Sequence, residues 1–181
     1  NDTKWMKKNN ISYKYADLNN TIELEKKIEG YKTLVSLASI GFGAVPSILK
    51  ACKNNNIDRV IFTSTTAIFT KLNAKSKKIR KLAEEQIRES NLDWTIIRPT
   101  MIYGSPNDRN IIRLIRWIDK YPFIPVIGNG EFLQQPIFVG DLSKAIVNIL
   151  ENEKTYKKSF NLSGQKALTY KKMILIIKNE L

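Results

Sequence analysis

The sequence predicts a single α/β domain over residues 1–181, with a doubly wound parallel sheet and a small C-terminal lobe from about residue 100. Two observations predict it. Short apolar runs of strand length recur at residues 33–38, 59–64 and 94–98 without the polar alternation of a half-solvated strand, as expected for strands buried on both faces. Stretches of helical periodicity separate them, and that alternation over roughly 90 residues means βαβ units with right-handed crossovers.

The elements follow in order. Residues 11–16 alternate weakly and stop at Asp17-Leu18-Asn19-Asn20, the pattern of a strand running into a turn. Residues 21–28 have helical spacing and end at Gly30. After the run 33–38 comes a helix over 45–52, broken by Asn54-Asn55-Asn56, and then the run 59–64. A helix is predicted over 76–90 and a strand over 94–98, ended by Pro99, which has no backbone N–H to give a ladder. The C-terminal lobe opens with a helix over about 110–120, a loop containing Pro122, Pro125, Gly128 and Gly130, and an extended piece over 132–139. Asp141 is the expected N-cap of a helix whose Leu142, Ala145, Ile146, Ile149 and Leu150 fall at i, i+3, i+4, i+7 and i+8. A strand over 159–162 and a helix over 170–177 complete the chain, which shows no internal repeat.

Composition removes several chemistries. There is no histidine, so serine–histidine triads, histidine metal sites and histidine proton shuttles are excluded. The single cysteine, Cys52, cannot form an internal disulfide or a cysteine-built metal site, and no metal is expected. No apolar run reaches the roughly 18 residues a membrane span needs. The start, Asn1-Asp2-Thr3-Lys4, carries neither an initiator Met nor an apolar signal core, and a cytoplasmic location is the default expectation. The net charge of +13 suggests a polyanion partner, but the lysines are spread along the whole chain. Their densest run, 71–81, is interrupted by Leu72, Ala74, Ser76 and Ile79, which predicts a solvated basic surface and ranks a nucleic-acid-binding module last.

A dinucleotide-binding sheet of this kind opens with a glycine-rich turn at a helix N-terminus, where backbone N–H groups meet the pyrophosphate. The one close glycine pair in the first half, Gly41-Phe42-Gly43, follows a later strand and is on the wrong side of the sheet for that turn. The phosphate-binding turn is therefore expected upstream of Asn1, with this chain truncated at its N-terminus.

Six segments in a fixed order carry a resemblance. Asp17-Leu18, Ser36-Leu37-Ala38-Ser39, Phe62-Thr63-Ser64-Thr65-Thr66, Lys81-Leu82-Ala83-Glu84-Glu85, residues 94–104 with their Arg98-Pro99 and Tyr103-Gly104 pairs, and Gly128-Asn129-Gly130 through Asp141-Leu142 are together similar to the extended or atypical short-chain dehydrogenase/reductases of the NAD-dependent epimerase/dehydratase family. Gln135-Pro136-Ile137-Phe138-Val139 resembles the branch that contains the NAD(P)H-binding accessory subunit of respiratory complex I. The resemblance implies a Rossmann-like fold that binds NAD or NADP and a small-molecule substrate such as a nucleotide sugar; the oligomeric state stays open, a homo-oligomer included. It implies cofactor contacts from Asp17, Leu18, Leu37, Ala38, Ser39, Thr63, Ser64, Lys81 and Pro99. It makes Thr65 and Lys81 the catalytic pair, and Thr65, Tyr103, Gln134 and Arg109 the substrate-side residues.

In that family a tyrosine exchanges a proton while hydride moves to or from nicotinamide, and a lysine four residues later lowers the phenol's pKa from the same helix face. The position four before Lys81 is Lys77, so the phenol is missing. In nucleotide-sugar epimerases an arginine meets the diphosphate where Gln134 stands here, and glutamine cannot supply the charge. Arg109, Arg113 and Arg116, at i, i+4 and i+7, are alternative cations or a solvated helix face. Two readings follow: an epimerase, dehydratase or related oxidoreductase with a degenerate catalytic tyrosine, and a non-catalytic dinucleotide-binding structural or regulatory protein.

Overall fold

Val60, Ile61 and Phe62 are fully buried, so one strand presents consecutive apolar side chains to both of its faces and needs a layer on each. In the computed structural model, which describes residues 3–105, 107, 108, 110–121, 123, 124, 126 and 128–181, both layers are helical. The elements are α1 (Thr3–Lys8), α2 (Thr21–Ile28), β1 (Thr33–Ser36), α3 (Val45–Asn54), β2 (Arg59–Thr63), α4 (Lys75–Glu89), β3 (Asp93–Pro99), β4 (Ile102–Tyr103), α5 (Ile111–Lys120), β5 (Leu133–Gln134), β6 (Ile137–Phe138), α6 (Val139–Ile149), β7 (Lys158–Leu162), β8 (Leu168–Thr169) and α7 (Tyr170–Glu180). The main sheet runs β1-β2-β3-β7, and every pairing in it is parallel. The three predicted central strands are thus adjacent and parallel.

Side-chain alternation divides the core. Val60, Phe62, Trp94 and Ile96 pack with Leu24 of α2, Val45 and Ile48 of α3, and Ala83 and Ile87 of α4. Ile97 points the other way and packs with Ile137, Leu142, Ile146 and Ile149, so α6 covers the opposite face. Cys52 is in the first layer, where burial pushes its thiol pKa up to about 12 and keeps it protonated.

Four sequence expectations are corrected. Residues 11–16 form no strand; they run as irregular chain after α1, with Ile11 and Tyr15 exposed. A strand is held by its ladder, and among the described residues no neighbouring strand pairs with this segment. The run 33–38 leaves the sheet after Ser36, because Leu37 already projects into solvent. The extended piece 132–139 is two short strands separated by Gln135 and Pro136, and Val139 belongs to α6. Asp141 is the third residue of α6, with Phe138 at the N-cap. Its carboxylate meets the helix dipole in the first turn without capping the end.

Arg59 ties the two layers together. This buried side chain at the start of β2 donates to the carbonyls of Ile149 at 2.6 Å and Leu150 at 3.0 Å, at the C-terminal end of α6. It also donates to the Asp93 carbonyl at 2.8 Å and to Thr95 Oγ1 at 2.8 Å in β3, while its guanidinium stacks on Tyr156. The cation thereby satisfies carbonyls that the helix leaves open and opposes the negative end of its dipole. Arg59→Met should cost about 3 kcal/mol of unfolding free energy, because it orphans several buried acceptors. Arg59→Lys should recover little of this, since a compact ammonium cannot span the same fork. Urea midpoints at constant m-value would measure both.

Candidate functional site

The cleft forms where three strand ends run out. Beyond β1 the chain turns through Leu37, Ala38 and Ser39, and Ser39 Oγ accepts from the Gly41 amide to start a tight turn. Beyond β2 come Ser64, Thr65 and Thr66; Thr65 Oγ1 accepts from the Ala67 amide, which fixes the next turn. Beyond β3, Thr100 donates its hydroxyl to the Gln135 carbonyl at 2.6 Å and pulls the β5–β6 connection over the opening. The result is a cleft of about 1210 Å³ at the carboxyl ends of the parallel strands.

Leu37, Ser39, Thr63, Ser64, Thr65, Pro99, Tyr103 and Gln134 all line it. The structure therefore brings together eight of the positions that the sequence selects from segments far apart in the chain. The others sit elsewhere. Asp17 is exposed and accepts from the Asn19 amide at 2.9 Å in its own turn. Leu18 packs on the core, and Ala38 is half-buried beside the cleft without lining it. Arg109 lies outside the described residues.

The α4 register corrects the lysine assignment. Ala83, Glu84 and Ile87 are the buried residues of this helix, so the face turned to the sheet also carries position 80. Arg80 lines the cleft, whereas Lys81 is exposed and does not. One turn before Arg80 is Ser76, whose hydroxyl accepts from Arg80 Nη1 at 3.2 Å. Lys77 points to the Thr70 carbonyl. The pair on the cleft side of α4 is thus Ser76–Arg80, not Lys77–Lys81. The spacing of Arg80, Ala83, Glu84 and Ile87 was the signal available in the sequence; the lysine-rich run beside it obscured it. Gly41 leaves room for this guanidinium: a Cβ there would be 3.2 Å from Arg80 Nε.

Charge in the cleft is lopsided. Asp108 also lines it, but its carboxylate accepts from the amides of Asn110 and Ile112 at the start of α5. Among the described residues no carboxylate forms an ion pair with Arg80. Elsewhere on the cleft lining the Thr63 hydroxyl is buried with no hydrogen-bond partner. A cleft with an unopposed cation and an unsatisfied hydroxyl on its lining suits an anionic, hydroxyl-bearing ligand. Among the described residues no cluster of three Cys, Asp or Glu side chains could hold a metal.

Behind the cleft wall Glu84 is almost wholly buried. It accepts from Ser64 Oγ at 2.7 Å, Arg98 Nε at 2.8 Å and Arg98 Nη2 at 2.5 Å, and it pairs with Arg88 at 2.5 Å. Burial pushes its pKa up, but the hydrogen bonds from Arg98 and Ser64 and the charges of Arg98 and Arg88 outweigh it and hold the carboxyl below its ordinary value. Ser64 thus spends its proton on Glu84 and faces the cleft with lone pairs. On the far wall Gly104 follows Tyr103 at φ +103°, with the Phe138 ring so close that no Cβ would fit.

Parallel strands with a hydroxyl-lined cleft at their carboxyl ends define the class of α/β dinucleotide-binding domains. The chain belongs to the NAD(P)H-binding family, whose model matches residues 2–119. It is 28% identical over 155 residues to the chloroplast stem-loop binding protein of 41 kDa b of Arabidopsis thaliana, covering 78% of this chain and 40% of that protein. It is 31% identical over 121 residues to the mitochondrial NADH dehydrogenase [ubiquinone] 1 alpha subcomplex subunit 9 of Rattus norvegicus, covering 65% of this chain and 31% of the relative. The chain thus spans less than half of either relative. Its fold matches that of a UDP-glucuronic acid 4-epimerase from Bacillus cereus solved with NAD, at TM-score 0.84 and 15% identity over 98% of this chain and 70% of that one. Among the described residues no helix is long and apolar enough to cross a membrane.

The depressed Glu84 pKa gives a pH prediction with a definite sign. A carboxyl titrating lower in the folded than in the unfolded state contributes stability above the ordinary value near 4.5 and loses it as the pH falls through the folded value. Glu84→Gln, which strands the buried Arg98, should cost roughly 3 kcal/mol at neutral pH and flatten the acid limb. Thermal midpoints between pH 3 and 7 for both proteins would reveal it; parallel acid limbs would refute it.

Proposed function

We propose that the domain holds NAD(H) or NADP(H) across the ends of β1, β2 and β3 and turns over carbonyl or nucleotide-sugar substrates slowly or not at all, the bound dinucleotide serving structure or sensing. The observation that carries this reading is the Ser76–Arg80 pair on the cleft side of α4. The related reductases have a phenol and a lysine there. A serine hydroxyl is far too weak an acid to replace the phenol, and a guanidinium cannot give up its proton near neutral pH.

The residues fit the cofactor. Arg80 offers a cation to a phosphate or ribose, Thr63 and Thr65 offer hydroxyls, and Ser64, committed to Glu84, accepts from a donor such as a ribose hydroxyl or a carboxamide. Bound nicotinamide would supply hydride chemistry; nothing in the Ser76–Arg80 pair moves the accompanying proton. The similarity to a subunit of the rat NADH dehydrogenase [ubiquinone] 1 alpha subcomplex supports a role as a dinucleotide-binding part of a larger assembly.

A second reading has support from Tyr103, a phenol in the same cleft. A migrated acid–base group would allow epimerase or dehydratase chemistry on a nucleotide sugar, and the 23% identity to the N-acetyl-alpha-D-glucosaminyl-diphospho-ditrans,octacis-undecaprenol 4-epimerase of Escherichia coli O157:H7 points the same way. A nucleic-acid role, suggested by the chloroplast relative's name, ranks behind both, and the cytoplasm is retained as the proposed location. A homo-oligomer belongs to the proposal too. The outer face of α4 carries Lys75 and Lys78 in its first half, Ile79 and Leu82 at its centre, and Glu85 and Glu89 in its second half, so two copies pair antiparallel with opposite charges opposed. Lys78→Glu should lower the solution mass seen by light scattering.

Calorimetry should show dinucleotide binding, weakened at least tenfold by Arg80→Ala. Loss of acid–base assistance is worth roughly 10²–10⁴-fold in rate, so a screen of nucleotide sugars and simple carbonyls should stay far below an ordinary turnover of about 10 s⁻¹. Turnover at that rate, abolished in Tyr103→Phe, would establish the second reading; absence of any dinucleotide binding would overturn both.

A further inference from the structure

We propose that the outer face of α5, with Tyr121 and Phe123 beyond its end, seats the protein on an anionic phospholipid surface. The face is built by helical spacing. Arg113, Arg116 and Lys120 fall at i, i+3 and i+7 and are all exposed, while Ile111 and Ile118 on the opposite side are buried. Asp119 is the one acidic residue of the helix and is about a quarter turn round from Lys120.

Aromatic side chains flank the cations. Trp117, 40% exposed, packs 4.5 Å from Tyr121 and 6.4 Å from Phe123, which is itself 64% exposed. Tyr121 is 6.3 Å from Phe123 and has the Lys120 ammonium 5.3 Å from its ring centroid. Trp117 Nε1 donates to the Phe123 carbonyl at 3.2 Å, so its polar group is satisfied when the rings leave water. Tryptophan and tyrosine beside lysine and arginine make up the composition that rests at headgroup level, with ring edges in the acyl boundary and cations on the phosphates.

The same residue types also serve single-stranded RNA, but the ring geometry favours lipid. Base stacking needs open aromatic faces. Here the interplanar angles are 83° for Trp117 and Phe123, 41° for Trp117 and Tyr121 and 46° for Tyr121 and Phe123, so no two of these rings present parallel faces as a stacking platform would. Charge complementarity selects an anionic surface over a neutral one. The face adjoins a groove lined by Met101, Leu114, Phe132 and Tyr170 that shares Asn110 and Gln134 with the cleft. A protein seated this way would hold the cleft close to the bilayer.

Co-sedimentation with vesicles of phosphatidylcholine alone, and of phosphatidylcholine with phosphatidylserine at roughly 70:30, tests the proposal without reference to cofactor binding or turnover. Binding is expected to the mixed vesicles only, and to fall as salt rises. Each exposed cation at such a surface is worth about fivefold in partition, so Arg116→Gln with Lys120→Gln should weaken it about thirtyfold. Phe123→Ser should weaken it as well, and in a Trp5→Phe background the mixed vesicles should shift the tryptophan emission to the blue. The control Lys4→Gln with Lys8→Gln should bind like the parent. Equal loss in that control, equal binding to neutral vesicles, no binding at low salt, or displacement by a short RNA hairpin below the lipid concentration would each overturn it.

Discussion

The carboxylate of Glu84 receives four hydrogen bonds from three side chains, and the cleft depends on them. Arg98 comes from β3, Ser64 from the end of β2, and Glu84 itself from α4, so one buried anion fixes the helix against both central strands. Taking such a charge out of water costs several kcal/mol unless every lone pair is used, and here each oxygen has two partners. The helix therefore has one rotational setting in which the anion is satisfied. That setting turns Arg80 toward the strand ends and Lys81 away from them. The chemistry available in the cleft is a consequence of where a structural carboxylate has to sit.

Much of the architecture was legible because it rests on local pattern. The apolar runs of β2 and β3 have the length and composition of doubly covered strands, and the spacing of Leu142, Ala145, Ile146 and Ile149 is that of a helix with one apolar face. Residues 11–16 misled because alternation states a preference for extended chain and says nothing of a partner, and a ladder is a property of two segments. The extended character of 132–139 was legible, but the pairing of β4 with β6 and of β5 with β8 was not, since two-residue bridges arise from how loops cross and from side-chain anchors such as Thr100 on the Gln135 carbonyl.

The strand-end positions of the expected site converge in the cleft, whereas on α4 the cleft is lined by Arg80 and not by Lys81. Residues at strand ends are placed by the strands, so Thr63, Ser64, Thr65 and Pro99 came out together in the cleft. A residue on a helix is placed by rotation, and one step is about 100°. Five lysines between 71 and 81 gave no means of choosing among them, whereas the buried ladder of Ala83, Glu84 and Ile87 did. A burial pattern is a better guide to register on a charged helix than the charges are.

Helix α6 begins with Val139 in the wall of the cleft and ends on the guanidinium of Arg59, at the opposite end of the sheet. Its 11 residues make a strut about 16 Å long. A load placed on the cleft mouth travels down that strut in compression and arrives at the first residue of β2. The far end of the sheet, remote from any ligand, is therefore the footing against which the mouth is braced, and softening that footing would loosen the grip of a site it never touches.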